Sequence, residues 1–132
     1  MTYQAPSGRC EVQDTINRYD DYAIQAFCRA VVHLGVETAD KWDEPHAKKL
    51  KSRAKLFEIK FKANRCATRA LGFFGPQPGL FTITLICVHK QNVYKPPDAI
   101  SIADRRVDQI VDGSATAVAL QIDGEDFPAH DR

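Results

Sequence analysis

Acidic side chains are almost missing from the middle of this chain. Residues 48–95 hold eleven lysines and arginines against Glu58 alone. Long apolar runs are missing too: no stretch reaches the roughly 18 residues of a membrane span, which excludes a transmembrane helix. The opening residues, MTYQAPSGRCEVQD, lack an apolar core behind a basic end. No secretory signal is expected there, and cytoplasm is the expected location. The four cysteines form no CxxC pair and no zinc-type spacing. Cys66 and Cys87 lie in apolar runs and Cys28 on an apolar helix stripe, so reduced, buried small hydrophobes are expected. No carboxylate pair, glycine-rich phosphate loop or metal-ligand cluster occurs. The expectation is therefore no cofactor and no metal.

What is present fits one globular domain. The 132 residues are 44% hydrophobic and 27% charged, ordinary for a folded protein with its own core. The net charge of +1 hides a segregation. Residues 1–47 carry four basic and eight acidic side chains, and residues 96–132 carry three and eight. A cationic centre between two acidic ends suggests an anionic partner met at one place. The plainer reading is a solvated face, but eleven against one is more bias than such a face usually gives.

Hydrophobic periodicity predicts an α+β chain. Residues 1–9 read as loose and residues 9–15 as a short edge strand. Residues 19–34 read as a helix, with Ala23, Ile24, Phe27, Cys28, Val31 and Val32 on one stripe. His33 suits its last turn and Gly35 its end. Residues 37–51 read as a weaker helical region that Pro45 interrupts, a short helix at 37–43 and a further turn from Pro45, with Trp42 packing helices on the sheet. Three strands follow, at 55–62, 66–74 and 80–90. In the first, Phe57, Ile59 and Phe61 alternate with Leu56, Glu58, Lys60 and Lys62. Ala63-Asn64-Arg65 reads as a tight reversal, where asparagine tolerates positive φ. GPQPG marks the next one. The third strand is apolar on both faces, which predicts a central position. QNVYKPPD reads as irregular, Asp98 as an N-cap, and residues 99–111 as a helix ended by Gly113. Residues 114–132 form an acidic tail, expected either as an edge strand or as disorder. This divides the chain into a domain of residues 1–113 and a tail of 114–132.

In this order and spacing, LFEIK, ATRALGFF and LICVHKQNVYKPPDAISIADRR resemble the RelE/HigB superfamily of toxins from type II toxin–antitoxin systems. The likeness is nearest to the branch of phage-derived toxin-like proteins. It spans residues 24–111. It implies a small RelE/ParE-like α+β domain, with N-terminal helices on an antiparallel sheet and a C-terminal helix. The implied activity is that of an mRNA interferase, a ribosome-dependent endoribonuclease. The implied partners are mRNA on the ribosome and a cognate antitoxin protein, with no membrane. A gyrase-directed toxin, or a phage-derived binding protein without catalysis, is the alternative, because fold alone does not set activity. Carried over by position, the cationic residues are Lys60, Arg69, the His89-Lys90 pair, and Lys95 with Tyr94 beside it. The last helix contributes Ala103, Arg105 and Arg106.

Metal-free RNA cleavage needs a base for the 2′-OH, cations for the charged phosphorane and an acid for the leaving 5′ oxygen. Arg69, His89, Lys60, Lys90 and Tyr94 are the candidate catalytic residues. Lys62, Arg65, Lys95, Lys51 and Arg53 are candidates for RNA binding. Arginine grips phosphate with two parallel bonds, and an ordinary histidine exchanges protons near pH ~6.5. The lysines also fit the wet face of an amphipathic strand, and His89 fits a strand-end residue without a role. Arg69 lies among Ala67, Leu71 and Phe73. A cation so placed either pairs with Glu58 or points into an anion site.

Overall fold

The computed structural model describes residues 1–35, 42 and 46–127. The elements in chain order are β1 (Thr2–Gln4), α1 (Glu11–Asn17), α2 (Asp21–Gly35), β2 (Ala47–Lys49), β3 (Phe57–Ala63), β4 (Cys66–Phe74), β5 (Phe81–Lys90), β6 (Val93–Lys95), α3 (Ala99–Asp112), β7 (Thr116–Val118), β8 (Leu120–Ile122) and β9 (Glu125–Phe127). The architecture is mixed α+β. One sheet runs β2-β3-β4-β5-β1-β7, with β6 added beside β5, and β8-β9 form a separate hairpin. All pairings are antiparallel except that of β1 with β5.

Alternation along β3 sorts its side chains between two cores, because successive residues of a strand face opposite sides. Phe57, Ile59 and Phe61 join Ala23, Phe27, Ala30 and Leu34 of α2 and Val12 and Ile16 of α1. Leu56, Leu71, Phe73 and Leu85 meet Ala99, Ala103, Val107 and Ile110 of α3. The sheet is thus sandwiched between helices, and β5 is covered on both faces as its composition predicts. Trp42 packs edge-on against Phe57 and Phe74, and its indole N–H donates to the Leu34 carbonyl at 2.9 Å.

The hairpins follow turn chemistry. Asn64 and Arg65 both have positive φ, the conformation a two-residue turn between twisted strands needs. Gln91-Asn92 repeats this device. The expected irregular stretch therefore begins with a hairpin, and Val93–Lys95 pair with β5 before Pro96 ends the ladder. Gly113 closes α3 in the left-handed region at φ 86, as a residue without Cβ does most readily. Asp98 stands at the N-cap position but makes no side-chain cap bond.

Three expectations change here. Residues 1–9 are not loose throughout, because buried Thr2 and Tyr3 belong to a strand between β5 and β7. Residues 11–17 are a helix rather than an edge strand; Val12 and Ile16, four apart, turn one stripe into the core. Residues 47–49 pair with β3 instead of continuing a helix. The short helix expected at 37–43 and the turn at Pro45 lie outside the described residues, Trp42 excepted. For the tail, the edge strand is the alternative observed: β7 pairs with β1 at the edge of the sheet, and Leu120 enters the core of α1 and α2.

Gly72 marks the tightest approach in the sheet. The β4–β5 register shifts between Leu71 and Gly72. A Cβ on Gly72 would collide with the Thr82 carbonyl and lie 2.8 Å from the Phe81 ring. Both neighbours sit on a strand that helices clamp on each side, so neither yields freely. Gly72→Ala is expected to destabilise the fold by about 1–3 kcal/mol. Urea denaturation measures this directly, and an unchanged midpoint would refute the packing described.

Candidate functional site

The polar cluster lies where α3 stops covering the sheet. Its members sit on four successively paired strands in register. Lys60 of β3 stands across from Arg69 of β4, and Arg69 across from Cys87 of β5. His89 of β5 stands across from Tyr94 of β6. Alternation places Glu58, Lys60, Arg69, Cys87, His89 and Tyr94 on one face.

Glu58 organises the cluster. Its side chain is only 6% exposed, and a carboxylate buried so deeply needs partners. The Tyr94 hydroxyl donates a short hydrogen bond to Oε2 of Glu58. On the other carboxylate oxygen, Arg69 Nε stands 3.6 Å from Oε1, close enough for an ion pair. No acceptor lies within hydrogen-bonding distance of that Nε. The guanidinium also donates from Nη1 to the Thr68 carbonyl at 3.0 Å. Its Nη2 stands 3.4 Å from Nδ1 of His89. A guanidinium carries donors only, so this contact suits a lone pair on Nδ1 and leaves the ring proton on Nε2. The His89 and Tyr94 rings lie 5.1 Å apart. Of the two roles open to Arg69 in the sequence, pairing with Glu58 is the one observed.

Titration follows from this burial. Desolvation, then the Glu58 hydrogen bond and charge, push the Tyr94 phenol well above its ordinary range, with Arg69 opposing. Burial pushes the Cys87 thiol up to about 12, with Glu58 adding to the rise and Arg69 opposing it. Both groups stay protonated near neutral pH, and Tyr94 acts as a donor.

The other candidates scatter. Lys62 is exposed on the same face as Lys60, and Arg65 is exposed at the hairpin turn. Lys90 and Lys95 alternate onto the face opposite His89 and Tyr94. Arg53 is committed to Asp108 of α3, with Nη2 to Oδ2 at 2.6 Å, and Lys51 is exposed near it in the loop before β3. The site therefore brings together Lys60, Arg69, His89 and Tyr94, with Lys62 beside them. Lys90, Lys95, Arg65, Lys51 and Arg53 lie apart from it. Arg106 faces away from the cluster, donating to the Thr84 carbonyl at 2.8 Å and pairing with Glu11 at 3.1 Å. Cys66, expected in the interior, is exposed directly after the turn.

Sequence reasoning missed Glu58 as the centre. The available signal was its isolation: one acid among eleven bases, facing inward on an alternating strand. Among the described residues, no group of three or more His, Cys, Asp or Glu is placed to hold a metal. No described helix is long and apolar enough to cross a membrane. Comparison with protein-family models, with curated proteins and with solved structures finds no match.

Two measurements test the cluster. Tyr94→Phe deletes a donor to a buried carboxylate and is expected to destabilise the fold by about 1.5–3 kcal/mol at neutral pH. The pH dependence has a defined sign. Tyr94 and Cys87 titrate higher when folded than their ordinary 10.0 and 9.0. Below those ordinary values both states hold the protons and this contribution to stability is complete. As pH rises past them the unfolded chain releases protons that the folded chain retains, so stability falls. The denaturant midpoint is expected to drop above about pH 9, and less steeply in Tyr94→Phe. Equal slopes in both proteins would rule out Tyr94 as a contributor.

Proposed function

We propose that the protein is a RelE/HigB-type toxin that cuts mRNA on the ribosome by metal-free attack of a 2′-OH on the adjacent phosphate. The observation that carries this reading is the contact between Arg69 Nη2 and His89 Nδ1 at 3.4 Å, on the sheet face that also holds Lys60. It joins a cation suited to phosphate with an imidazole, a side chain able to accept and pass on a proton. Glu58 fixes the orientation of Arg69, and a preorganised donor of this kind stabilises developing charge without reorganising.

In this reading the scissile phosphate competes with His89 for Arg69 Nη2. Drawing the guanidinium onto the phosphate frees the lone pair on Nδ1, which accepts the 2′ proton. The 2′ oxygen bonds to phosphorus, the P–O5′ bond breaks, and the departing oxygen takes a proton from Tyr94 or water. The products are a 2′,3′-cyclic phosphate and a 5′-hydroxyl. His89 then releases the 2′ proton to solvent, and Tyr94, where it was the donor, recovers its own from there. A cognate antitoxin would silence the protein by covering this cationic face, with acidic side chains facing Lys60 and Lys62.

The second reading, a toxin directed at gyrase or a binder without catalysis, has its own support. Arg69 is already paired with Glu58 and its side chain is only 14% exposed, which suits an internal tie.

Induction in a bacterial host, with mapping of mRNA ends, separates the two. The catalytic reading expects growth arrest with new mRNA 5′ ends inside coding regions. Arrest with intact mRNA and altered plasmid supercoiling supports the second reading and rejects the first. Arg69→Ala is a poor probe, since it strands a buried carboxylate. Arg69→Lys keeps the charge opposite Glu58 but removes the fork, and His89→Ala removes the proton-transfer group. Each is expected to slow cleavage by about 10²–10³-fold while melting stays cooperative. A folded His89→Ala protein that cuts at the full rate, with an unchanged pH profile near neutrality, would exclude His89 as the base.

A further inference from the structure

A separate cavity opens on the opposite side of the sheet. It has a volume of about 290 Å³ and lies where the end of α1, the β3–β4 hairpin and the β5–β6 pair converge. Two cations line it. Arg18 follows the last residue of α1 as its C-cap, and Lys95 is set by its register opposite Val88. Neither side chain has an ion-pair or hydrogen-bond partner among the described residues. No carboxylate lines the cavity. Two unpaired positive charges facing a space without a negative one leave the anion to come from outside.

The rest of the lining suits a ligand with more than a charge. Ile86 and Val88 supply an apolar floor, while Thr68 and the turn residue Asn64 supply polar atoms. Tyr19 borders the space with its ring against Phe61. Burial pushes its phenol up to about 12, against the opposing charge of Arg18. It therefore remains a hydrogen-bond donor at neutral pH. Ligand pockets usually begin near 300 Å³, so one ring system with one charged group fills this volume.

We infer that this cavity is a binding site for a nucleoside monophosphate, its phosphate held by Arg18 and Lys95 and its ring on Ile86 and Val88. The inference is independent of the function proposed above, whose residues lie on the other face. The same chemistry arrives from two sources: a free mononucleotide, or a terminal nucleotide of an RNA strand.

The test titrates adenosine 5′-monophosphate, adenosine and inorganic phosphate into the full chain, following backbone amide shifts by NMR. The expected result is saturable shifts with the monophosphate centred on Asn64, Thr68, Val88 and Lys95. Adenosine and inorganic phosphate should each bind at least tenfold more weakly. The double variant Arg18→Glu, Lys95→Glu replaces two exposed side chains and is expected to keep its melting temperature while losing this binding at least tenfold. A 5′-phosphorylated trinucleotide distinguishes the sources: affinity above that of the monophosphate, lost in the double variant, assigns the site to a strand end. Affinity equal to or below it assigns the site to the free nucleotide. Absence of binding by every probe, shifts centred on Lys62 and His89, or unchanged affinity in the double variant would each overturn the inference.

Discussion

A single buried carboxylate holds the open end of the sheet together. Glu58 sits where an apolar residue would have cost nothing, and its charge must be matched from within the chain. Arg69 supplies the countercharge and Tyr94 a proton. These partners come from β4 and β6, so the carboxylate of β3 ties its direct neighbour β4 to β6, which meets them only through β5. His89 is oriented as a consequence, because its ring is caught between the guanidinium and the phenol. An ion pair of this kind adds little net stability relative to apolar packing. Its value lies in geometry: the side chains have one arrangement in which every charge is answered.

Over the interior strands β5 and β1 a second charge is used differently. Arg106 of α3 reaches across to Glu11 of α1 and to the Thr84 carbonyl, with Tyr3 beneath its guanidinium at 5.0 Å. Helices on opposite faces are thereby tied around the strand between them. The two arginines divide the work. Arg106 joins layers, and Arg69 joins neighbouring strands within one layer.

Much of this was legible in the chain because local rules dominate between residues 55 and 113. Alternation on β3, paired turn residues at Asn64-Arg65, and the 3.6-residue stripe of α3 each depend on neighbours in sequence. The elements misread depend on distant partners. Thr2–Gln4 is three residues of ordinary composition, and only the gap between β5 and β7 makes it a strand. Val93–Lys95 was hidden by the prolines after it, although Gln91-Asn92 is itself a turn signal. At the site, the inward cation was visible and so was its candidate partner. The convergence of Tyr94 and His89 on that pair was not, since it rests on a hairpin that the proline-rich stretch masked. Lys90 and Lys95 were placed with the site by position in the family resemblance, and strand alternation sends them to the other face.

The insertion of β1 between β5 and β7 bears on how the molecule is made. Thr2 pairs with Ile83 on one side and with Val118 on the other. On the ribosome, the first strand emerges long before either neighbour exists. Its inner edge is satisfied only after β5 has been synthesised, and its outer edge only after β7. Until then a strand with buried Thr2 and Tyr3 presents open hydrogen-bonding edges, the kind of template on which chains pair wrongly. Pairings across more than a hundred residues also slow folding, because loop closure must precede any gain from contact.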